Sequence, residues 1–179
     1  MIGKTINEEI VLIANKYIGQ EEIRGNKGFK DIEFNRLMDA VGHEKGQAWC
    51  AYFAELVWKE AYQNWDATLF SRLDKLFSAS AVTTFRNFHK TKDFTTPRKP
   101  SPGCLAIWQK YKDGKAHWSG HIGVVDTVNK NISFTCIEGN TNEDGGREGY
   151  MVGKKNRIID FEEKQNALVL IGFVQPKEI

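Results

Sequence analysis

The stretch W-C-A-Y-F-A-E-L-V-W-K-E-A-Y (49–62) reads as a helix. Ala51, Ala54, Val57, Trp58 and Ala61 recur at spacings of three and four, which gathers them on one face. Upstream, Thr5 followed by Glu8 is a capping-box pattern. It opens a helix over 5–18 with Ile6, Ile10, Ile13, Ala14 and Tyr17 on one side and Gly19 at its end. Residues 20–30 read as a loop, 31–41 as a short helix with Phe34, Leu37, Met38 and Val41 inward, and G-H-E-K-G-Q (42–47) as a second loop. Downstream, 63–77 is ambiguous, and another helix runs from near Ser78 to Lys90 carrying Val82, Phe85 and Phe88.

The loop T-T-P-R-K-P-S-P-G (95–103) then marks a change of period. Short apolar runs and period-two alternation predict strands at 104–109, 121–128, 132–138, about 150–159 and 167–175, with 139–153 a Gly- and Asn-rich connector. Helices first and strands afterwards imply an α+β domain with an antiparallel sheet. Neither half could bury much of a core alone, so 1–179 is expected to be one domain with the Pro-rich loop an internal crossing.

Composition narrows the function. Of 179 residues, 41% are apolar and 27% charged, a folded and water-compatible balance. A net charge of +2 is too small to argue for nucleic acid. No apolar run is long enough for membrane insertion. The start M-I-G-K-T-I-N-E-E-I lacks the apolar core of a signal peptide. Synthesis in the cytoplasm is therefore expected. Three cysteines are too few and too odd for a disulfide framework.

Cys50 falls at the first turn of the clearest helix, after a Gly-containing loop. The helix N-terminal field and free backbone N–H groups favour a thiolate there, which turns a thiol into a nucleophile. The expected base is His121 in W-S-G-H-I-G-V-V-D (118–126), at the start of a strand. The N-K-N turn (129–131) joins that strand to the next as a tight hairpin. Depending on how the turn closes, His121 pairs with Glu138, Gly139 or Asn140, so Glu138 or Asn140 stands beside the imidazole to orient it.

The segments A-W-C-A-Y-F-A (48–54), S-P-G-C-L-A-I-W (101–108), G-H-I-G-V-V (120–125) and I-E-G-N-T-N (137–142) together resemble the CHAP-type amidases and peptidases. These are papain-like cell-wall hydrolases related to the NlpC/P60 enzymes, and the resemblance spans roughly residues 45–175. It implies a papain-like fold, with the nucleophile helix packed on a five- or six-stranded antiparallel sheet. It implies Cys50 as nucleophile, His121 as base, Glu138 as orienting carboxylate and Asn140 as auxiliary amide. The implied reaction cleaves an amide of peptidoglycan through an acyl-enzyme, with no metal or organic cofactor. The backbone N–H of Cys50 and a side-chain donor would hold the oxyanion. A cysteine hydrolase acting on protein, or an inactive wall-binding relative, are the alternatives. The expected state is a monomer, delivered to the wall by lysis or a secretion apparatus, with an immunity or delivery protein as its possible partner.

Two departures stand out. Relatives often carry Gln immediately before the nucleophile, where this chain has Trp49, and Gln47 lies three residues upstream as the candidate oxyanion donor. Glu44 is the lone carboxylate in 42–50, too few for a calcium site. His117 and His121 have H-x3-H spacing, but no C-x2-C pair accompanies them, and zinc is set aside. G-K-T (3–5) lacks the rest of a phosphate loop. Cys104 and Cys136 are expected in the core, and Trp49 and Trp118 as walls of the cleft. Asp144, Arg147, Glu148, Lys154, Lys155 and Arg157 are expected to be a solvated face.

Overall fold

A computed structural model of the chain describes residues 4–130, 132–142 and 149–178. Five helices precede five strands: α1 (Ile6–Lys16), α2 (Ile32–Ala40), α3 (Cys50–Tyr62), α4 (Ala67–Leu76), α5 (Ala81–Lys90), β1 (Leu105–Lys112), β2 (Lys115–Asn129), β3 (Ser133–Thr141), β4 (Met151–Ile158) and β5 (Leu168–Val174). The sheet is antiparallel throughout in the order β4-β3-β2-β1-β5. This is the expected α+β architecture, with helices against a five-stranded sheet.

Local chemistry accounts for the elements. In α1 the Thr5 hydroxyl accepts from the Glu8 N–H (3.2 Å) while the Glu8 carboxylate accepts from the Thr5 N–H (2.8 Å). That reciprocal box satisfies two donors left free by the first turn. α4 occupies the stretch whose pattern was ambiguous; Asp66 caps it and Leu69 and Leu73 face inward. α3 is buried almost all round, the mark of a central helix. Phe53, Val57 and Trp58 pack in one core with Ile122, Val124 and Ile137 of the sheet. The opposite face of the sheet holds a second cluster, with Ala106, Trp108, Val125, Phe134, Cys136, Leu170 and Phe173.

β2 is longer than expected. Asp113 (φ 51°) and Gly114 (φ 71°) both take left-handed backbone, making a two-residue hairpin that pairs Lys112 with Lys115. β2 therefore starts well before His121. The expected 139–153 connector is shorter at both ends, because β3 continues through Gly139 and Asn140 to Thr141 and β4 begins at Met151. The Pro-rich loop runs along the outer edge of β5: Phe173 donates to the Pro97 carbonyl (3.2 Å) and Gln175 to the Thr95 carbonyl (2.9 Å). Among the described residues no helix is long and apolar enough to cross a membrane.

Candidate active site

Cys50 is the first residue of α3 and is 8% exposed. Thr5, Asp31, Asp66 and Ser80 cap the other four helices through their side chains, whereas Trp49 gives α3 no side-chain cap. The sulfur therefore sits at a helix start with no N-cap side chain, at the positive end of the helix dipole, where a thiolate is favoured. What holds this end is Asn140. Its Oδ1 accepts from the Trp49 N–H (2.9 Å) and its Nδ2 donates to the Gly149 carbonyl (2.9 Å). Asn140 has φ 54°, a left-handed conformation that Asn tolerates better than most residues. The α3 start is thus tied to the end of β3.

That tie brings Cys50 to His121. The sulfur lies near enough to the imidazole to favour its protonated form. On the other side of the ring, His121 Nε2 donates to Glu138 Oε2 at 2.8 Å. With Nε2 so engaged, Nδ1 is the nitrogen left for the sulfur. The β2–β3 register pairs Val124 with Ile137, so its continuation sets His121 opposite Asn140 and Glu138 opposite Gly123. The imidazole–carboxylate contact is therefore diagonal, and it passes over Gly123. A Cβ there would lie 2.6 Å from both Glu138 Cγ and Cys136 Sγ. Glycine is what leaves the carboxylate room to reach the ring.

Glu138 is fully buried and does not depend on His121 alone. Arg157 of β4 grips it with a fork, Nε to Oε1 at 2.7 Å and Nη2 to Oε2 at 2.5 Å. The Trp108 ring faces both the His121 ring (6.0 Å between centroids) and the guanidinium (5.1 Å). Burial alone would push the Glu138 carboxyl up, but the positive charges of His121 and Arg157 outweigh it and hold it below its usual range. Burial likewise disfavours a charged His121, yet the Glu138 charge and the Cys50 sulfur raise its pKa.

Gly123→Ala should displace Glu138 from His121. The expected result is about a 10- to 100-fold drop in turnover, together with about 1–3 kcal/mol of lost stability from overpacking. Turnover equal to wild type would show that the diagonal contact does not matter.

Several expectations need correction. Trp49 does not wall a cleft. It is 1% exposed, packed edge-on against Phe29 and Phe53, with its indole N–H donating to Glu22 (2.8 Å). Arg157 is not on a solvated face, since it clamps Glu138. Lys154 pairs with Asp126 at 2.9 Å. Asp144, Arg147 and Glu148 lie outside the described residues. Trp118 is open to solvent, 74% exposed. The Gln47 side-chain carbonyl accepts from the Tyr52 hydroxyl (2.6 Å), which fixes the orientation of its amide. Cys104 and Cys136 are fully buried, and burial pushes the Cys104 thiol up to about 12. His117 turns to the Ser119 hydroxyl (2.7 Å), and among the described residues no cluster of three His, Cys, Asp or Glu forms a metal site.

Comparison with known proteins gives one match. The family model for the CHAP domain matches residues 42–140, from the loop before Cys50 to Asn140. No curated protein and no solved structure matches. The matched segment covers more than half of the chain and includes α3, His121 and Glu138. The chain belongs to the CHAP domain family, whose members are in general peptidoglycan hydrolases, amidases and peptidases.

Proposed function

We propose that the protein is a cysteine amidase or endopeptidase that cleaves an amide bond of peptidoglycan through Cys50, His121 and Glu138. The observation that carries this reading is the row formed by the Cys50 sulfur, the His121 ring and the Glu138 carboxylate at the uncapped start of α3. His121 Nδ1 takes the Cys50 proton, and the sulfur adds to the amide carbonyl carbon. The oxyanion that forms is held by the N–H groups of the first turn of α3, with the Gln47 amide as a further donor. The His121 imidazolium passes its proton to the leaving nitrogen, the C–N bond breaks, and a thioester to Cys50 remains. A water deprotonated by His121 then adds to the thioester, and the acid departs as the thiol is restored. Throughout, Glu138 holds the ring in one tautomer and stabilises its charged form. Asn140 serves this chemistry through structure, by fixing the α3 start against β3. The exposed Trp118 ring offers the polymer an aromatic plate three residues from His121.

The test is digestion of purified peptidoglycan beside an unfolded protein substrate, with mass spectrometry of the released muropeptides. New amino and carboxyl ends at one bond type are expected, and their masses identify it as the lactyl–L-Ala amide, a stem-peptide bond or a cross-bridge. Cleavage of the protein with the wall polymer left intact would replace this reading with that of a protein-directed hydrolase.

A further inference from the structure

The segment that matches the family model ends at Asn140, and Arg157 lies beyond it on β4. Yet Arg157 uses both arms of its fork on the carboxylate that orients His121. An exposed arginine–glutamate pair on a strand contributes little to stability. This pair is different, because Glu138 is fully buried and its Oε2 is shared between His121 Nε2 and Arg157 Nη2. The guanidinium also lies over the Trp108 ring, which restricts its direction. When the thiolate and imidazolium form, sulfur, imidazole, carboxylate and guanidinium alternate in sign, and the buried row is neutral overall.

We infer that Arg157 is a positioning residue of the reaction: its fork fixes both Glu138 oxygens and supplies the countercharge that lets this buried carboxylate serve His121. The inference rests on the proposed roles of Cys50, His121 and Glu138. Bidentate geometry matters here, because a guanidinium fork sets the plane of the carboxylate whereas an ammonium is a point charge.

The charged or titratable groups around Glu138 are His121 from β2, Cys50 from α3, Arg157 from β4 and Cys136 on its own strand. Burial pushes the Cys136 thiol well above its ordinary value, so it stays neutral at acid pH. Trp108 from β1 carries no charge. Glu138 is the carboxylate of this row, and its charge supports the imidazolium that accompanies the thiolate. Removing Arg157 takes a positive charge from the row and disfavours the charged form of Glu138, so the charged row is lost at higher pH and the acid limb shifts upward.

The experiment measures peptidoglycan turnover and iodoacetamide alkylation of Cys50 against pH in wild type, Arg157→Met and Arg157→Lys. Arg157→Met should move the acid limb of both profiles up by about one pH unit and lower the plateau of turnover about tenfold or more. Arg157→Lys should return the limb toward wild type while leaving the plateau a few-fold low, because the charge is restored without the fork. If Arg157→Met does not fold, Arg157→Gln takes its place. A lower plateau with an unmoved limb in a folded variant would reduce Arg157 to a structural role and overturn the inference. A wild-type Cys50 that neither alkylates faster than a free thiol nor is needed for turnover would overturn the catalytic reading, and this inference with it.

Discussion

Cys50→Ala is expected to eliminate peptidoglycan turnover, by on the order of 10⁴-fold or more, while leaving the fold intact. The size follows from the mechanism. Without the sulfur no thioester forms, and the N–H groups of α3 are left to hold a substrate that nothing attacks. The stability cost is small for a physical reason. Cys50 sits at the first position of a helix, where alanine is well accommodated, and only one sulfur atom is lost. A change within about 1 kcal/mol is expected, which for a chain of this size moves the melting midpoint by about 2–4 °C. The single substitutions Cys104→Ala and Cys136→Ala should show the reverse, because both thiols are fully buried and neither takes part in the reaction; Cys136 packs beside Glu138, but losing its sulfur leaves the carboxylate's bonds to His121 and Arg157 in place. They should keep turnover and lose stability. Iodoacetamide should label Cys50 first, and lasting turnover in Cys50→Ala would remove the nucleophile assignment outright.

Much of this arrangement is legible in the chain before any coordinates. The α3 periodicity and the position of Cys50 at its start are local signals, set by residues within two turns of each other. The N-K-N hairpin narrows the partners of His121 to three neighbouring residues, and an irregularity between Val125 and Thr127 then slips the observed register by one residue on the way to His121. What sequence reading cannot supply there is the choice between Glu138 and Asn140. It depends on the missing side chain at Gly123 and on the left-handed turn of the Asn140 backbone.

Other features were missed for separate reasons. Trp49 precedes the nucleophile in sequence, but adjacent residues at a helix start point in different directions, and its indole turns into the aromatic core. α4 carried a readable signal in Asp66, whose carboxylate accepts from the Thr68 and Leu69 N–H groups. Asp113-Gly114 was likewise a hairpin signal that would have extended β2 toward the turn. Arg157 was not readable in this way. Its stretch K-K-N-R looks like the polar side of an edge strand; the β3–β4 register sets Arg157 opposite Phe134 and Gly153 opposite Glu138, so the contact depends on the long side chain reaching along the sheet face.

Glu138→Gln should cost more activity than Asn140→Ala, and both should cost less than His121→Ala. The amide in Glu138→Gln keeps the shape of the side chain and can still accept from His121 Nε2. It cannot stabilise the imidazolium, so a loss of about 10²- to 10³-fold in turnover is expected. Asn140→Ala removes the brace on the Trp49 N–H and should cost about tenfold or less. The reverse ranking would make Asn140 the orienting group. Stability provides an independent measurement. In Glu138→Gln the Arg157 fork loses its anion, and since the Arg157 side chain remains 32% exposed, water offsets part of the penalty, leaving about 2 kcal/mol. The loss should depend on pH in a definite way. Glu138 is held below its ordinary 4.5, so its contribution is complete above 4.5 and fades as the pH falls through the lowered value. His121 is raised above its ordinary 6.5, so its share is complete below 6.5 and fades as the pH rises through the raised value. The difference in unfolding free energy between wild type and Glu138→Gln should therefore be largest between about pH 4.5 and 6.5 and shrink on both sides. Urea denaturation at acid, mildly acid and alkaline pH measures it directly. A difference that grew steadily toward alkaline pH would mean that Glu138 and His121 do not form a charged pair in the folded protein.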